Sequence, residues 1–109
     1  MKLASLILAV GLLLGSHAVA GAERAARAET AARAKIVDFA FKPRTIQISR
    51  GTAVRWTNRG SVGHTVTGKG FDAGTLQPGD TFSRRFNKVG TFTYHCTIHP
   101  SMTAKVVVS

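Results

Sequence analysis

The sequence predicts an all-β domain, an antiparallel sandwich or barrel, over residues 36–109. From Ile36 onward, short runs of alternating apolar and polar residues are separated by Gly, Pro, Asn and Asp, which is the pattern of strands and turns. The same stretch shows no long amphipathic helix and no internal repeat. About seven short strands at this spacing are typical of sandwiches and barrels.

Each expected strand has its own apolar face or turn signal. The first run places Val37, Phe39 and Phe41 on one face, and the second places Ile46 and Ile48 together. Val54 and Trp56 mark the third run, after a turn at residues 50–51. The remaining strands are expected at residues 64–67, 81–86, 91–96 and 105–109.

The first twenty residues have the pattern of a secretory signal peptide. A basic start at Met1-Lys2 precedes an apolar run at residues 3–15, and Ala18-Val19-Ala20 offers a small-x-small cleavage site. We therefore expect residues 1–20 to be removed and the protein to be periplasmic. The alternative is an uncleaved membrane anchor, because the apolar run extended to Ala22 approaches the roughly 20 residues that a spanning helix needs.

Residues 21–35 are predicted to form a flexible or helical tether. Glu23 and Arg27, like Glu29 and Arg33, have the i, i+4 spacing that supports a helix. Since no apolar side chain here is larger than alanine, tertiary packing is not expected to stabilise it. The predicted organisation is thus signal 1–20, tether 21–35 and β domain 36–109.

The formal net charge of the 109-residue chain is +10. The basic residues of the β domain are scattered rather than clustered, which argues against a nucleic-acid site. A basic surface accelerates encounter with acidic proteins more than it sets affinity. We therefore expect no nucleic acid, and we interpret the charge as at most a docking bias toward acidic protein partners, the alternative being an ordinary solvated surface.

Cys96 is the one cysteine of the chain. In an oxidising compartment, paired cysteines normally become structural disulfides. Without an intramolecular partner, Cys96 is expected to be buried and inert, bonded to another chain, or held as a thiolate by a metal.

The segment "TYHCTIHPSM" at residues 93–102 favours the metal. Strand alternation points Phe92, Tyr94 and Cys96 to one face and His95 to the other, so His95 is not expected to be a ligand. Beyond the strand, steps of three residues in a turn stiffened by Pro100 can bring Cys96, His99 and Met102 around one point.

A fourth ligand must come from elsewhere, and His64 in "GSVGHTVTG" is the histidine that remains in the domain. Two imidazoles, a thiolate and a thioether suit copper cycling between Cu(I) and Cu(II). Structural zinc sites use Cys and His sets, and an iron–sulfur cluster needs more cysteines. Taken singly, each of these residues would be an ordinary surface or core residue; taken together they indicate one copper ion.

Residues 36–109 resemble the cupredoxins, the small blue copper proteins. The resemblance is carried by "W-x-N" at Trp56 to Asn58, by the upstream His64, and by "GTFTYHCTIHPSM" at residues 90–102. The short C-x-x-H-x-x-M loop is most similar to that of amicyanins, whereas plastocyanins and pseudoazurins have a longer step to the methionine.

The resemblance implies a Greek-key β-sandwich with equatorial copper ligands His64, Cys96 and His99 and an axial Met102. Thr65 departs from the family pattern, in which an asparagine commonly follows the first ligand histidine and ties the two ligand loops together. The rigidity of the loops and the reduction potential depend on whether the threonine hydroxyl replaces that bond.

The predicted function is outer-sphere transfer of single electrons between periplasmic proteins, such as an acidic cytochrome or dehydrogenase, by a monomer without enzymatic activity or a small-molecule substrate. The main alternative is a periplasmic copper carrier or chaperone with the same fold. A metal-free adhesion or interaction sandwich is the third hypothesis.

Overall fold

The computed structural model describes residues 31–109, which form nine β-strands. The first four are β1 (Ala32–Val37), β2 (Ala40–Lys42), β3 (Thr45–Ile48) and β4 (Thr52–Asn58). They are followed by β5 (Thr67–Gly68), β6 (Phe71–Asp72), β7 (Thr81–Phe86), β8 (Gly90–His95) and β9 (Thr103–Val108). Within this range, no helix has the length and apolar character needed to cross a membrane.

The strands form two sheets that enclose one core. The four-stranded sheet has the order β2-β1-β4-β7, and the five-stranded sheet has the order β3-β9-β8-β5-β6. Trp56 of β4 and Tyr94 of β8 join the sheets, because the indole Nε1–H donates to the tyrosine hydroxyl at 3.2 Å and the ring centroids lie 5.4 Å apart. The all-β sandwich prediction is therefore confirmed.

The prediction of a purely antiparallel arrangement is wrong, because both sheets are mixed. β1 pairs parallel with β4, and β3 pairs parallel with β9. After the β1–β2 hairpin the chain crosses to the other sheet as β3 and then returns to lie beside β1 as β4. Side-chain alternation identifies strands but carries no information on which strands become neighbours.

The boundary of the predicted tether must also be corrected, because residues 32–35 belong to β1. Ala34 is 3% exposed and lies beside Trp56 in the parallel register. The small Ala34 side chain can be buried here because the neighbouring strand β4 supplies the Trp56 indole that covers it and the backbone groups with which β1 forms hydrogen bonds. The remainder of the tether, residues 21–30, and the signal peptide, residues 1–20, lie outside the described residues.

The predicted face of the first strand, with Val37, Phe39 and Phe41 on one side, is wrong in part. The chain turns at Asp38-Phe39, between β1 and β2, so the alternation does not continue from Val37 to Phe41. Ile36 and Phe41 are buried, whereas Phe39 is 58% exposed.

The strand expected at residues 64–67 is also wrong, because β5 begins only at Thr67 and the three residues before it, His64, Thr65 and Val66, are all buried. In the other predicted strands the alternation holds, and large buried side chains from both sheets fill the core: Val54, Trp56, Phe86, Tyr94, Val106 and Val108.

Asn58 organises the segment that leads from β4 to His64. Its buried side chain donates from Nδ2 to the carbonyl oxygens of Val62 at 2.9 Å and Leu76 at 2.8 Å. Its Oδ1 accepts from the amide of Gly60 at 2.8 Å. One amide side chain thus binds two backbone groups of residues 59–63, which form no strand, and ties them to the backbone of Leu76.

We predict that Asn58→Ala lowers the free energy of unfolding by about 3 kcal/mol, because it leaves the Val62 carbonyl and the Gly60 amide without partners and removes one of the two donors to the Leu76 carbonyl. Denaturant unfolding monitored by Trp56 fluorescence measures the change. Asn87→Ala, at an exposed position, is the matched control and should have almost no effect. A loss below about 1 kcal/mol for Asn58→Ala would show that water replaces these hydrogen bonds.

Candidate metal centre

His64 is placed by the backbone of the loop between β4 and β5. Its amide donates to the carbonyl oxygen of Leu76 at 3.0 Å, and the Leu76 amide donates back to His64 at 2.7 Å. The His64 side chain is completely buried, and Thr65 and Val66 beside it are buried too. This pairing fixes the main chain of the upstream candidate ligand.

Cys96 and His99 lie in the loop that joins β8 to β9. The Cys96 amide donates to the carbonyl oxygen of Met102 at 3.1 Å, and the Met102 amide donates to that of His99 at 2.9 Å. These two bonds close the tight turn that the three-residue steps predicted. Cys96 continues the inward face of β8 and is fully buried, whereas His95 is exposed, so the prediction from strand alternation is confirmed.

The structure brings the side chains of His64, Cys96 and His99 together. Cys96 Sγ lies 3.9 Å from His64 Nδ1 and 3.8 Å from His99 Nδ1, and the ligand atoms of all three lie within 4.8 Å of one another. Since metal–nitrogen and metal–sulfur bonds are about 2.0–2.3 Å long, such spacings leave room for one shared ion. Two imidazoles and a thiolate are the donor set of a trigonal copper site.

Met102 closes the same loop and is 2% exposed. Its main chain is bonded to that of both Cys96 and His99. The fourth predicted residue is therefore buried at the end of the loop that carries the other two.

The sulfur of Cys96 is held in an environment that favours its ionised form. Burial by itself raises the pKa of the thiol. Hydrogen bonds from the Thr65 and His99 amides, together with the contacts of the His64 and His99 rings, outweigh that effect and lower the pKa from 9.0 to about 6. The Thr65 amide lies 3.3 Å from the sulfur.

Thr65 also ties the two ligand-bearing loops to each other. Its hydroxyl oxygen accepts from the Thr97 amide at 2.9 Å and lies 3.2 Å from the Thr97 hydroxyl. On the other side it lies 3.0 Å from the hydroxyl of Thr67, which donates to Asp72 at 3.2 Å. The hydroxyl thus makes a loop-to-loop bond at the position where the family pattern has asparagine.

Sequence reasoning did not identify two residues of this site, Asp38 and Phe39, in the turn between β1 and β2. Asp38 Oδ1 lies 2.7 Å from His64 Nε2, and the Phe39 ring centroid lies 4.8 Å from that of His99. Hydrogen bonds from the hydroxyl and amide of Ser61, with a further one from His64, hold the pKa of the Asp38 carboxyl well below its usual range. No local pattern marks these residues, because their partners lie far along the chain.

In the metal-free protein, we predict that the Cys96 thiol titrates with a midpoint at about pH 6. Ultraviolet absorbance of the thiolate, with Cys96→Ser as the blank, measures it. The thiol of the unfolded chain titrates near 9.0, so its ionisation stabilises the fold fully above that pH, and this contribution is lost as the pH falls through about 6. A midpoint near 9.0 would contradict the hydrogen bonding described for the sulfur.

Comparison with known proteins identifies relatives of this fold and site. The family model described as copper binding proteins, plastocyanin/azurin family, matches residues 28–109. Amicyanin-alpha of Methylorubrum extorquens is 38% identical over 81 residues, which cover 68% of this chain and 68% of that protein. Amicyanin of Paracoccus denitrificans is 34% identical over 86 residues, which cover 67% of this chain and 63% of that protein.

Among solved structures, a novel purple cupredoxin from Nitrosopumilus maritimus matches with a TM-score of 0.69 at 29% identity, covering 72% of this chain and 99% of that one. The family match, the amicyanin relatives and the cluster of two imidazoles and a thiolate agree with one another. The chain belongs to the plastocyanin/azurin family of copper-binding proteins, the cupredoxins, and its cofactor is one copper ion.

Proposed function

We propose that the protein carries single electrons between redox partner proteins in the periplasm. Nδ1 of His64, Sγ of Cys96 and Nδ1 of His99 would hold the copper ion, and the thioether of Met102 would be a weak fourth ligand. When bound, copper supplies one-electron chemistry between Cu(I) and Cu(II). The rest of the mechanism concerns how this chain holds and shields its ligands.

The observation that carries this proposal is the enclosure of the cluster. His64 and Cys96 are fully buried and Met102 is 2% exposed, so three of the four proposed ligands lie in the interior and only His99 is partly exposed. An enzyme of the same metal keeps an open position for its substrate. Buried ligands without such an opening favour an electron carrier, and we infer that the protein is not an enzyme.

His99 is the ligand nearest to solvent, and it lies beneath an apolar surface. Its side chain is half-buried, and the exposed ring of Phe39 packs against it. The exposed side chains of Ile98 and Pro100 flank it in the same loop. We infer that a partner protein docks on this apolar surface and receives the electron through the imidazole edge. The basic net charge of the chain would steer acidic partners toward it.

Fixed ligands limit rearrangement when the charge on the site changes. The backbone bonds within residues 96–102 and the Thr65 hydroxyl bond to Thr97 hold both loops independently of any ion. Small movement on each transfer favours rapid exchange of electrons.

The periplasmic location rests on the signal-peptide pattern of residues 1–20.

We predict that Cys96→Ser abolishes the intense blue charge-transfer absorption of the copper-loaded protein, because that band requires overlap between copper and the thiolate. The matched control is the adjacent His95→Ala, whose side chain faces away from the cluster and whose variant should stay blue. Visible absorption and electron-spin-resonance spectra measure both. A blue band that survives in Cys96→Ser, or disappears in His95→Ala, would contradict the proposed ligand set.

We predict that Thr65→Val, which keeps the shape of the side chain but removes the hydroxyl, increases the rate of copper loss to a chelator about tenfold. The change leaves the Thr97 amide without its acceptor, at a cost of about 1–3 kcal/mol, and so loosens the loop. Thr93→Val, exposed on β8, is the control. An unchanged rate would show that the hydroxyl does not hold the loop, and rapid loss from the parent protein itself would favour the copper-carrier alternative.

A further inference from the structure

The two ring nitrogens of His64 face different groups. Nδ1 points toward the sulfur of Cys96, 3.9 Å away, and Nε2 meets Oδ1 of Asp38 at 2.7 Å. Because the ring is completely buried, water cannot take the place of either partner. The carboxylate therefore decides which nitrogen carries the proton, since a carboxylate oxygen can only accept.

The carboxylate is itself held in position. Its second oxygen, Oδ2, accepts from the Ser61 amide at 2.8 Å and from the Ser61 hydroxyl at 2.5 Å. These bonds leave Oδ1 directed at His64. A ligand histidine oriented by a fixed carboxylate is a better electron donor to a metal than an isolated one.

Gly60 provides the space for this contact. A Cβ atom at this position would overlap Asp38 Oδ1 and would lie 3.1 Å from His64 Nε2. The Gly60 amide is fixed by the Asn58 side chain at 2.8 Å, so the backbone cannot easily withdraw. A side chain at residue 60 would force the carboxylate away from the imidazole.

Asp38 also brings a negative charge to a basic molecule. Asp38, Asp72 and Asp80 are the acidic residues of range 31–109. Asp72 is bonded to Thr67 and Gly74, and Asp80 to the Gln77 amide. Asp38 is the one of these three that contacts a residue of the His64, Cys96 and His99 cluster.

We propose that Asp38 is a positioning residue of the copper site, which holds His64 with its proton on Nε2 and its Nδ1 lone pair toward the ion, and which lowers the reduction potential by favouring Cu(II). The inference rests on the proposed ligation of copper by His64. A negative charge hydrogen-bonded to a ligand stabilises the more positive oxidation state, because the Coulomb attraction grows with the charge of the ion.

The test compares Asp38→Asn with Asp80→Asn, which removes the same charge at a position bonded to Gln77. Titrations with Cu(II) and Cu(I) give the two dissociation constants, and voltammetry gives the reduction potential. We expect Asp38→Asn to weaken Cu(II) binding at least tenfold more than Cu(I) binding, since outer partners of ligands typically contribute 10–100-fold to metal affinity. A tenfold difference raises the potential by about 59 mV for one electron, and Asp80→Asn should leave it unchanged.

Hydrogen exchange provides a readout that a merely structural role would not change. In the diamagnetic Cu(I) protein, nuclear magnetic resonance follows the Nε2 proton of His64. The bond to Asp38 should make this proton slow to exchange in the parent, and Asp38→Ala should accelerate its exchange at least tenfold. An equal rate in the two proteins would overturn the proposal.

Gly60→Ala tests the contact while keeping every charge. Its Cβ should displace the carboxylate and raise the potential in the same direction as Asp38→Asn. Against the background Asp38→Ala, the added methyl has no carboxylate to displace, so its effect on the potential should shrink to the part caused by its 3.1 Å approach to His64 Nε2. This cycle decides the question if Asp38→Asn does not fold.

The outcomes separate this inference from the proposed function. If the parent is blue and Asp38→Asn changes the potential no more than Asp80→Asn does, Asp38 has no role at the site although the electron-carrier function stands. If Gly60→Ala has the same effect with and without Asp38, the contact is again excluded. If the parent shows no blue band, the proposed function fails first and the inference fails with it.

Discussion

The buried thiolate of Cys96 is the constraint on which the rest of the site depends. An ionised sulfur inside a sandwich of this size is costly unless donors face it. The Thr65 amide is one such donor, and the His99 amide is a second; the ring nitrogens of His64 and His99 lie 3.9 and 3.8 Å from the sulfur. Those donors come from two loops far apart in the sequence, so the loops must be joined, and the Thr65 hydroxyl joins them through the Thr97 amide.

The fold supplies the rigid frame that this junction requires. Trp56 and Tyr94 lock the two sheets where β4 and β8 lead toward the ligand loops. At the end of β4, the Asn58 side chain forms hydrogen bonds with the backbone of the segment that continues to His64. At the end of β8, the strand alternation places the side chain of Cys96 in the interior. The "W-x-N" motif thus has a physical meaning: one residue packs the core, and the other orders the loop.

Local patterns in the sequence predicted the cluster better than they predicted the sheets. The turn of Cys96, His99 and Met102 follows from spacing within one loop, and the outward position of His95 follows from alternation. The parallel pairing of β1 with β4, the early start of β1 at Ala32 and the contact of Asp38 with His64 could not be predicted in this way. Each depends on partners 20 or more residues away, and neither spacing nor composition encodes such pairings.

The central claim is that one sulfur and two imidazoles, distant in the chain, enclose a single copper ion. X-ray absorption at the copper edge of the loaded protein tests it most directly. We expect an inner shell of one sulfur and two imidazole nitrogens in the parent, and a shell without that sulfur in Cys96→Ser. An inner shell made only of nitrogen and oxygen in the parent would contradict the account, because the thiolate would then lie outside the site.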